Sequence, residues 1–225
     1  MTAPELIAQL RFLTNQTSSA LVDTDCVRVL NIYFKRLVQS IVDVNEDYFG
    51  EYSTFDLISG QREYTLPTDY MKIKRLEIAF DGINYVKAHP LIEHSSQIPI
   101  DNSNAAEVDS NFTTDSPAYH VYDFSFFLYP RPTQTLDEAG KLWYIKRQPD
   151  LIATTVESAI RIPLEFHYLM AEGASADVFR RLGQEQRAQV ADANFARGES
   201  LMKAKVSGRN LDDSMRLTAE IQSYK

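Results

Sequence analysis

Residues 116–132 read Ser-Pro-Ala-Tyr-His-Val-Tyr-Asp-Phe-Ser-Phe-Phe-Leu-Tyr-Pro-Arg-Pro. Aromatic residues crowd two short runs, His120 to Phe124 and Phe126 to Tyr129, and such runs favour a pleated, half-buried strand. Pro130 and Pro132 stop the second run, because proline cannot donate to a strand ladder. A third strand, Leu142-Trp143-Tyr144-Ile145-Lys146, follows. Ile162-Pro163-Leu164-Glu165-Phe166-His167 then opens a helical region, with Pro163 at a favoured first-turn position. No residue in this core stretch has the look of a catalytic group, and it reads as part of a structural protein.

Outward from that stretch, the N-terminal side begins with helix signals. Ala3 to Thr14 carries Pro4 in its first turn and Leu6, Leu10 and Leu13 on one side. Asn15 to Leu21 is polar and predicts a turn. Asp23-Thr24-Asp25 predicts a capped helix start, and Val27, Leu30, Phe34, Leu37, Ile41 and Val44 recur at steps of three and four up to Tyr48-Phe49-Gly50. Cys26, the sole cysteine, lies in this helix as a small core residue, and one cysteine excludes an internal disulfide.

After Gly50 the period changes to two. Glu51 to Ile58 alternates, Ser59-Gly60-Gln61 turns, and Arg62 to Leu66 is expected to return as the hairpin partner. Ile73 to Phe80 is a further strand, turned by Asp81-Gly82 so that Tyr85 to Ala88 pairs back. His94 to Thr114 is polar, and a loop of that length inside a compact domain is unusual. Six or seven short antiparallel strands would suffice for a sandwich or small barrel.

On the C-terminal side, Arg180-Arg181-Leu182-Gly183 predicts a helix end, with cations in the last turn and glycine beyond. A second helix is expected from Glu185 to Lys205. The predicted fold class is α+β: N-terminal helices over 1–50, an antiparallel β domain over 51–147 with its acidic polar loop at 94–114, C-terminal helices over 148–207, and a tail over 208–225. Leu211, Met215, Ile221 and Tyr224 stay apolar on that otherwise polar tail, which cannot bury much alone and is expected to fray or to dock on a partner.

Charge and motifs narrow the function classes. The chain has 225 residues and a net charge of -8. From Pro90 to Gly140 there are eight acids against one base, Arg131, whereas Pro163 to Lys205 balances six acids with six bases. An acidic surface without a basic stripe argues against a sequence-specific nucleic-acid reader. No apolar run is long enough to span a membrane, and Met1 to Glu5 lacks the start of a signal peptide, so cytoplasmic synthesis is expected. His89 and His94 flank Glu93 without a recognised metal-ligand spacing, and no phosphate loop, nucleophile elbow or His-Glu-x-x-His is present. Glu165 and His167 are two apart on a helix and face different ways. Neither an enzyme nor a bound cofactor or metal is expected.

Two stretches also carry a family resemblance. One is the order strand, Leu128-x-Pro130-x-Pro132, strand, Ile162-Pro163, helices; the other is Gln61-x-x-Tyr64-x-Leu66-Pro67-x-Asp69-Tyr70 followed by a hairpin. In this the chain resembles the head-to-tail adaptor (connector, or head completion) proteins of tailed bacteriophages, over most of its length up to about Lys205. The resemblance implies a virion protein at the head–tail junction, forming a homo-oligomeric ring of about twelve copies beneath the portal. Such a ring would continue the DNA channel and offer a platform for tail or stopper proteins. It implies that the C-terminal segment engages the portal protein, through Leu211, Met215, Ile221 and Tyr224 here. The acidic segment, with Asp101, Glu107 and Asp109, would then line the channel and repel passing DNA without reading its sequence. Plain solubility explains the same acidity. Another neck or tail part, such as a stopper or tail terminator, and a soluble acidic binding module remain the alternative readings.

Overall fold

The computed structural model describes residues 1–91, 109 and 111–208, and divides the chain into two units, 1–49 with 148–208 and 50–147.

The first unit is helical. Helix α1 spans Ala3–Thr14, closed at its start by a capping box in which the Thr2 side chain accepts from Glu5 N–H and the Glu5 side chain accepts from Thr2 N–H. Helix α2 spans Asp23–Val44 and buries Leu30, Phe34, Leu37 and Ile41 of the expected stripe together with Cys26 and Val29, whereas Val27 is half-buried and Val44 exposed. Its start differs from expectation: Val22 is the capping position, and Asp23 is the first helical residue, bonded to Arg11 of α1 at 2.7 Å. A short 3-10 turn, Glu46–Phe49, follows the helix rather than continuing it. Helix α3 spans Tyr168–Arg181, preceded by the 3-10 turn Leu164–Phe166, and α4 spans Glu185–Ser207. The break between them is the predicted one, with Gly183 at φ 72°, a left-handed backbone that glycine adopts without a Cβ clash.

Helices α1, α2 and α4 all pack on α3. A Cβ on Gly173 of α3 would stand 2.1 Å from the Tyr33 ring of α2, so the absent side chain is what lets α2 approach. Tyr33 in turn meets Phe195 of α4 edge-on, centroids 5.1 Å apart. The segment after the second unit is tied to α2 by Asn31, whose side chain accepts from Leu151 N–H (2.7 Å) and donates to Leu151 C=O (2.9 Å).

One polar contact holds α4 to α2. Glu199 accepts from Ser40 and pairs with Arg36 at 2.8 Å. Burial alone would raise its carboxyl, but the Ser40 hydroxyl and Arg36 guanidinium outweigh burial and hold it below its ordinary value. A lowered folded-state pKa contributes stability above the unfolded value, about 4.3, and loses it as pH falls through the folded value. Glu199→Gln is therefore expected to cost about 2 kcal/mol near neutral pH. Melting curves from pH 7 down to pH 3 should show the gap between wild type and variant closing; an unchanged gap at pH 3 would refute this assignment.

The second unit is a seven-stranded sheet. Its strands are β1 Gly50–Leu57, β2 Glu63–Thr65, β3 Tyr70–Ile78, β4 Val86–Pro90, β5 Ala118–Tyr122, β6 Ser125–Tyr129 and β7 Leu136–Lys146. Their order is β1-β7-β3-β4-β5-β6-β2. The β3–β4 hairpin is as expected, and β5 and β6 form a second hairpin whose turn, Asp123 and Phe124, falls where a strand to Phe124 was expected.

Two further expectations fail. β1 and β2 do not form a hairpin: β1 pairs with β7 and β2 with β6, so they lie at opposite ends of the order. The sheet is mixed rather than antiparallel, because β4 and β5 run parallel through His89↔Ala118 and Pro90↔Tyr119. In place of a sandwich or closed barrel there is one curled sheet, whose two edges meet through side chains. Phe55 of β1 lies 5.2 Å from Tyr64 of β2 and 5.3 Å from Phe126 of β6, and Ile58 N–H donates to the Tyr64 hydroxyl. Inside the curl, Leu76, Ile78, Phe126, Leu128 and Leu142 form the core.

Candidate functional site

Strand alternation sends one side chain in two away from the core, and the outer face of β1, β7 and β3 is where the β unit displays large groups. Register places Tyr52, Trp143 and Arg75 in one row across the three strands, with Thr54, Lys141 and Glu77 in the next and Lys87 beside Glu77. Tyr52 and Trp143 lie 4.9 Å apart and are 56% and 41% exposed. Glu77 orients the row: its carboxylate accepts from the Trp143 indole N–H at 3.2 Å and pairs with Arg75. Lys141 Nζ sits 3.7 Å over the Tyr85 ring, whose hydroxyl donates to Glu138 C=O at 2.9 Å. The face thus carries Arg75, Lys87 and Lys141 around an aromatic pair, with Glu77 already engaged.

A second display lies at the β5–β6 turn. Tyr122 pairs with Ser125, leaving Asp123 and Phe124 as a two-residue turn, and Asp123 takes φ 53°, which a short carboxylate side chain tolerates. Tyr122 is 59% and Phe124 73% exposed. Leu66 N–H donates to Phe124 C=O at 2.9 Å and fixes the turn's backbone.

Of the residues singled out from sequence, Leu211, Met215, Ile221, Tyr224, Asp101 and Glu107 lie outside the described residues. Asp109 is described, and it is a hub. It pairs with Arg62 at 2.7 Å and with Arg131 at 2.6 Å, and it accepts from Arg131 N–H at 3.2 Å. Arg62 lies over the Tyr129 ring at 4.8 Å. Two guanidinium groups compensate this carboxylate, so it adds little negative field of its own.

Among the described residues no three His, Cys, Asp or Glu side chains stand together as a metal site. His89 and His120 are strand residues, and His167 is buried at the start of α3, its Nε2 2.8 Å from Ile162 C=O. A groove in the helical unit holds Glu172, whose carboxyl burial pushes up. Arg187 is the other charged residue lining it, so the groove holds no acid–base pair. No described helix is long and apolar enough to cross a membrane.

The comparisons with known proteins add what the geometry alone does not give. The family model for the SU10 adaptor protein matches residues 1–218. The chain belongs to that family. No curated protein matches it. As an SU10 adaptor family member it is a bacteriophage structural protein, a component of the virion that associates with other head or tail proteins. The helical and β units described above are both within the matched span.

Sequence reasoning missed the Tyr52–Trp143–Arg75 row, because its members come from three strands and only the register brings them together. The turn at Asp123 and Phe124 was missed as well: large aromatic residues read as a strand running to Phe124, whereas β5 ends at Tyr122.

Proposed function

We propose that the protein forms a ring of about twelve copies that joins the portal of the phage head to the tail and continues the DNA channel. The observation that carries this reading is the family match across both units and beyond them to residue 218. Portal attachment is assigned to the C-terminal tail through Leu211, Met215, Ile221 and Tyr224, apolar residues on a segment with little else to bury. Asp101 and Glu107 would supply the acidity that keeps passing DNA from adhering, with Asp109 contributing less because Arg62 and Arg131 offset it.

Native mass of the purified protein, alone and with the portal ring of its virus, tests the whole. Full-length protein is expected to add to the portal in about twelve copies. A variant lacking Arg209–Lys225 is expected to keep its circular dichroism spectrum and lose attachment. Normal attachment by the truncated protein would remove the docking role from the tail. Full-length protein that ignores the portal would overturn the ring.

A further inference from the structure

A ring needs each copy to offer two different surfaces, one for each neighbour, because a head-to-tail contact pairs unlike patches. Copies with a net charge of -8 repel one another unless the contact itself is complementary. The β unit displays two patches that answer both requirements. The outer face of β1, β7 and β3 carries an aromatic pair with cations beside it: Tyr52, Trp143, Arg75 and Lys141. The β5–β6 turn is a narrow projection of two exposed aromatics around Asp123, which has no ion-pair partner among the described residues.

We propose that the Tyr122-Asp123-Phe124 turn of one copy seats on the Tyr52–Trp143–Arg75 face of the next. This deepens the ring reading above and rests on it. Phe124 sits on a two-residue turn and leaves most of its ring exposed, so that apolar surface is left for a partner. Tyr, Trp and Arg are the residue types that dominate binding energy when a partner excludes water from them. Glu77 holds the Trp143 ring and Arg75 in place before the contact forms, which lowers the ordering cost of association. Asp123 meets the row in which Arg75 stands beside Trp143, with Lys87 and Lys141 next to it; the acids Glu77, Asp56 and Glu138 lie on the Lys141 side of that row. In a head-to-tail ring each copy gives its turn to one neighbour and its face to the other, so the contact propagates from copy to copy until the rotation closes.

The test uses three full-length proteins: wild type, Phe124→Asp on the turn and Trp143→Asp on the face, each checked for an unchanged circular dichroism spectrum. Arg75→Glu, at an exposed side chain, serves as the second face variant should Trp143→Asp alter the fold. Native mass spectra are taken at rising concentration and with the portal ring. Wild type is expected to self-associate, and each variant alone to do so at least about 30-fold more weakly. An equimolar mixture of Phe124→Asp and Trp143→Asp retains one intact pairing, wild-type turn against wild-type face, and is expected to give dimers and nothing larger. Rings formed normally by the variants would overturn this contact and leave the ring reading standing. Folded variants whose mixture stays monomeric would overturn the head-to-tail pairing. Wild type that stays monomeric both alone and with the portal would overturn the ring reading, and this contact with it.

Discussion

Replacing Phe126 with alanine is expected to lower the stability of the β unit by about 3–5 kcal/mol. Phe126 is fully buried on β6, stacked on Tyr64 at 5.5 Å and edge-on to Phe55 at 5.3 Å. Those rings belong to the two strands at opposite ends of the sheet, so Phe126 bridges edges that share no backbone hydrogen bonds. Truncation removes the transfer energy of a whole ring and leaves a cavity between surfaces that cannot both follow it inward. Phe124→Ala is the internal control: two residues away and 73% exposed, it should change stability by less than about 0.5 kcal/mol. Urea denaturation followed by fluorescence suits both variants, since the only tryptophan, Trp143, lies in the same unit. A loss below about 1 kcal/mol for Phe126→Ala would mean that the curl does not depend on this cluster.

The second large effect concerns Asp109. Its carboxylate is the shared partner of Arg62, 9% exposed, and of Arg131. Asp109→Asn keeps the size and one carbonyl acceptor but removes the charge that the buried Arg62 guanidinium faces at 2.7 Å. Breaking a buried pair from one side costs about 3 kcal/mol or more, because the remaining charge has been taken out of water. An exposed carboxylate gives the contrast: Asp123→Asn should be neutral within about 0.5 kcal/mol. Chemical denaturation of the two variants side by side decides it. Equal, small effects would show that the Arg62–Asp109 pair adds nothing to the fold, and Asp109 could then serve the channel surface with its full charge.

Much of the helical unit was legible because its signals are local. The α2 stripe follows from steps of three and four, and the break at Gly183 follows from cations before a glycine. The start of α2 was misread, since Asp23 looks like a cap in sequence yet its carboxylate is drawn to Arg11, leaving Val22 at the capping position. In the β unit, the β3–β4 hairpin was legible because Asp81-Gly82 is a turn between adjacent runs, whereas aromatics masked the turn between β5 and β6. The partners of β1 and β2 were not, because Ser59-Gly60-Gln61 announces a reversal but says nothing of which strand lies alongside. There Gly60 N–H donates to Pro132 C=O, drawing the turn toward the chain after β6. The parallel β4–β5 pair, likewise, joins strands separated by a long polar segment and leaves no local mark. The same limit applies to the surfaces: a row of aromatics drawn from three strands leaves no mark in any one stretch of sequence. Asp109, one acid in a polar run, gave no sign of its two arginine partners.

The division of the chain has a consequence for how the protein is born. The helical unit is made from residues 1–49 and 148–208, with the whole β unit between them. A ribosome releases α1 and α2 first, and their apolar stripes have no α3 to cover them until roughly 120 further residues have been made, some 6–24 seconds at bacterial rates of synthesis. The β unit, by contrast, is complete by Arg147 and can fold while the rest is still being translated. Nascent chains stalled before and after Tyr168 should therefore differ in protease resistance mainly at α1 and α2, and slow codons placed after Arg147 should lengthen the time during which those helices are open to chaperones or to aggregation.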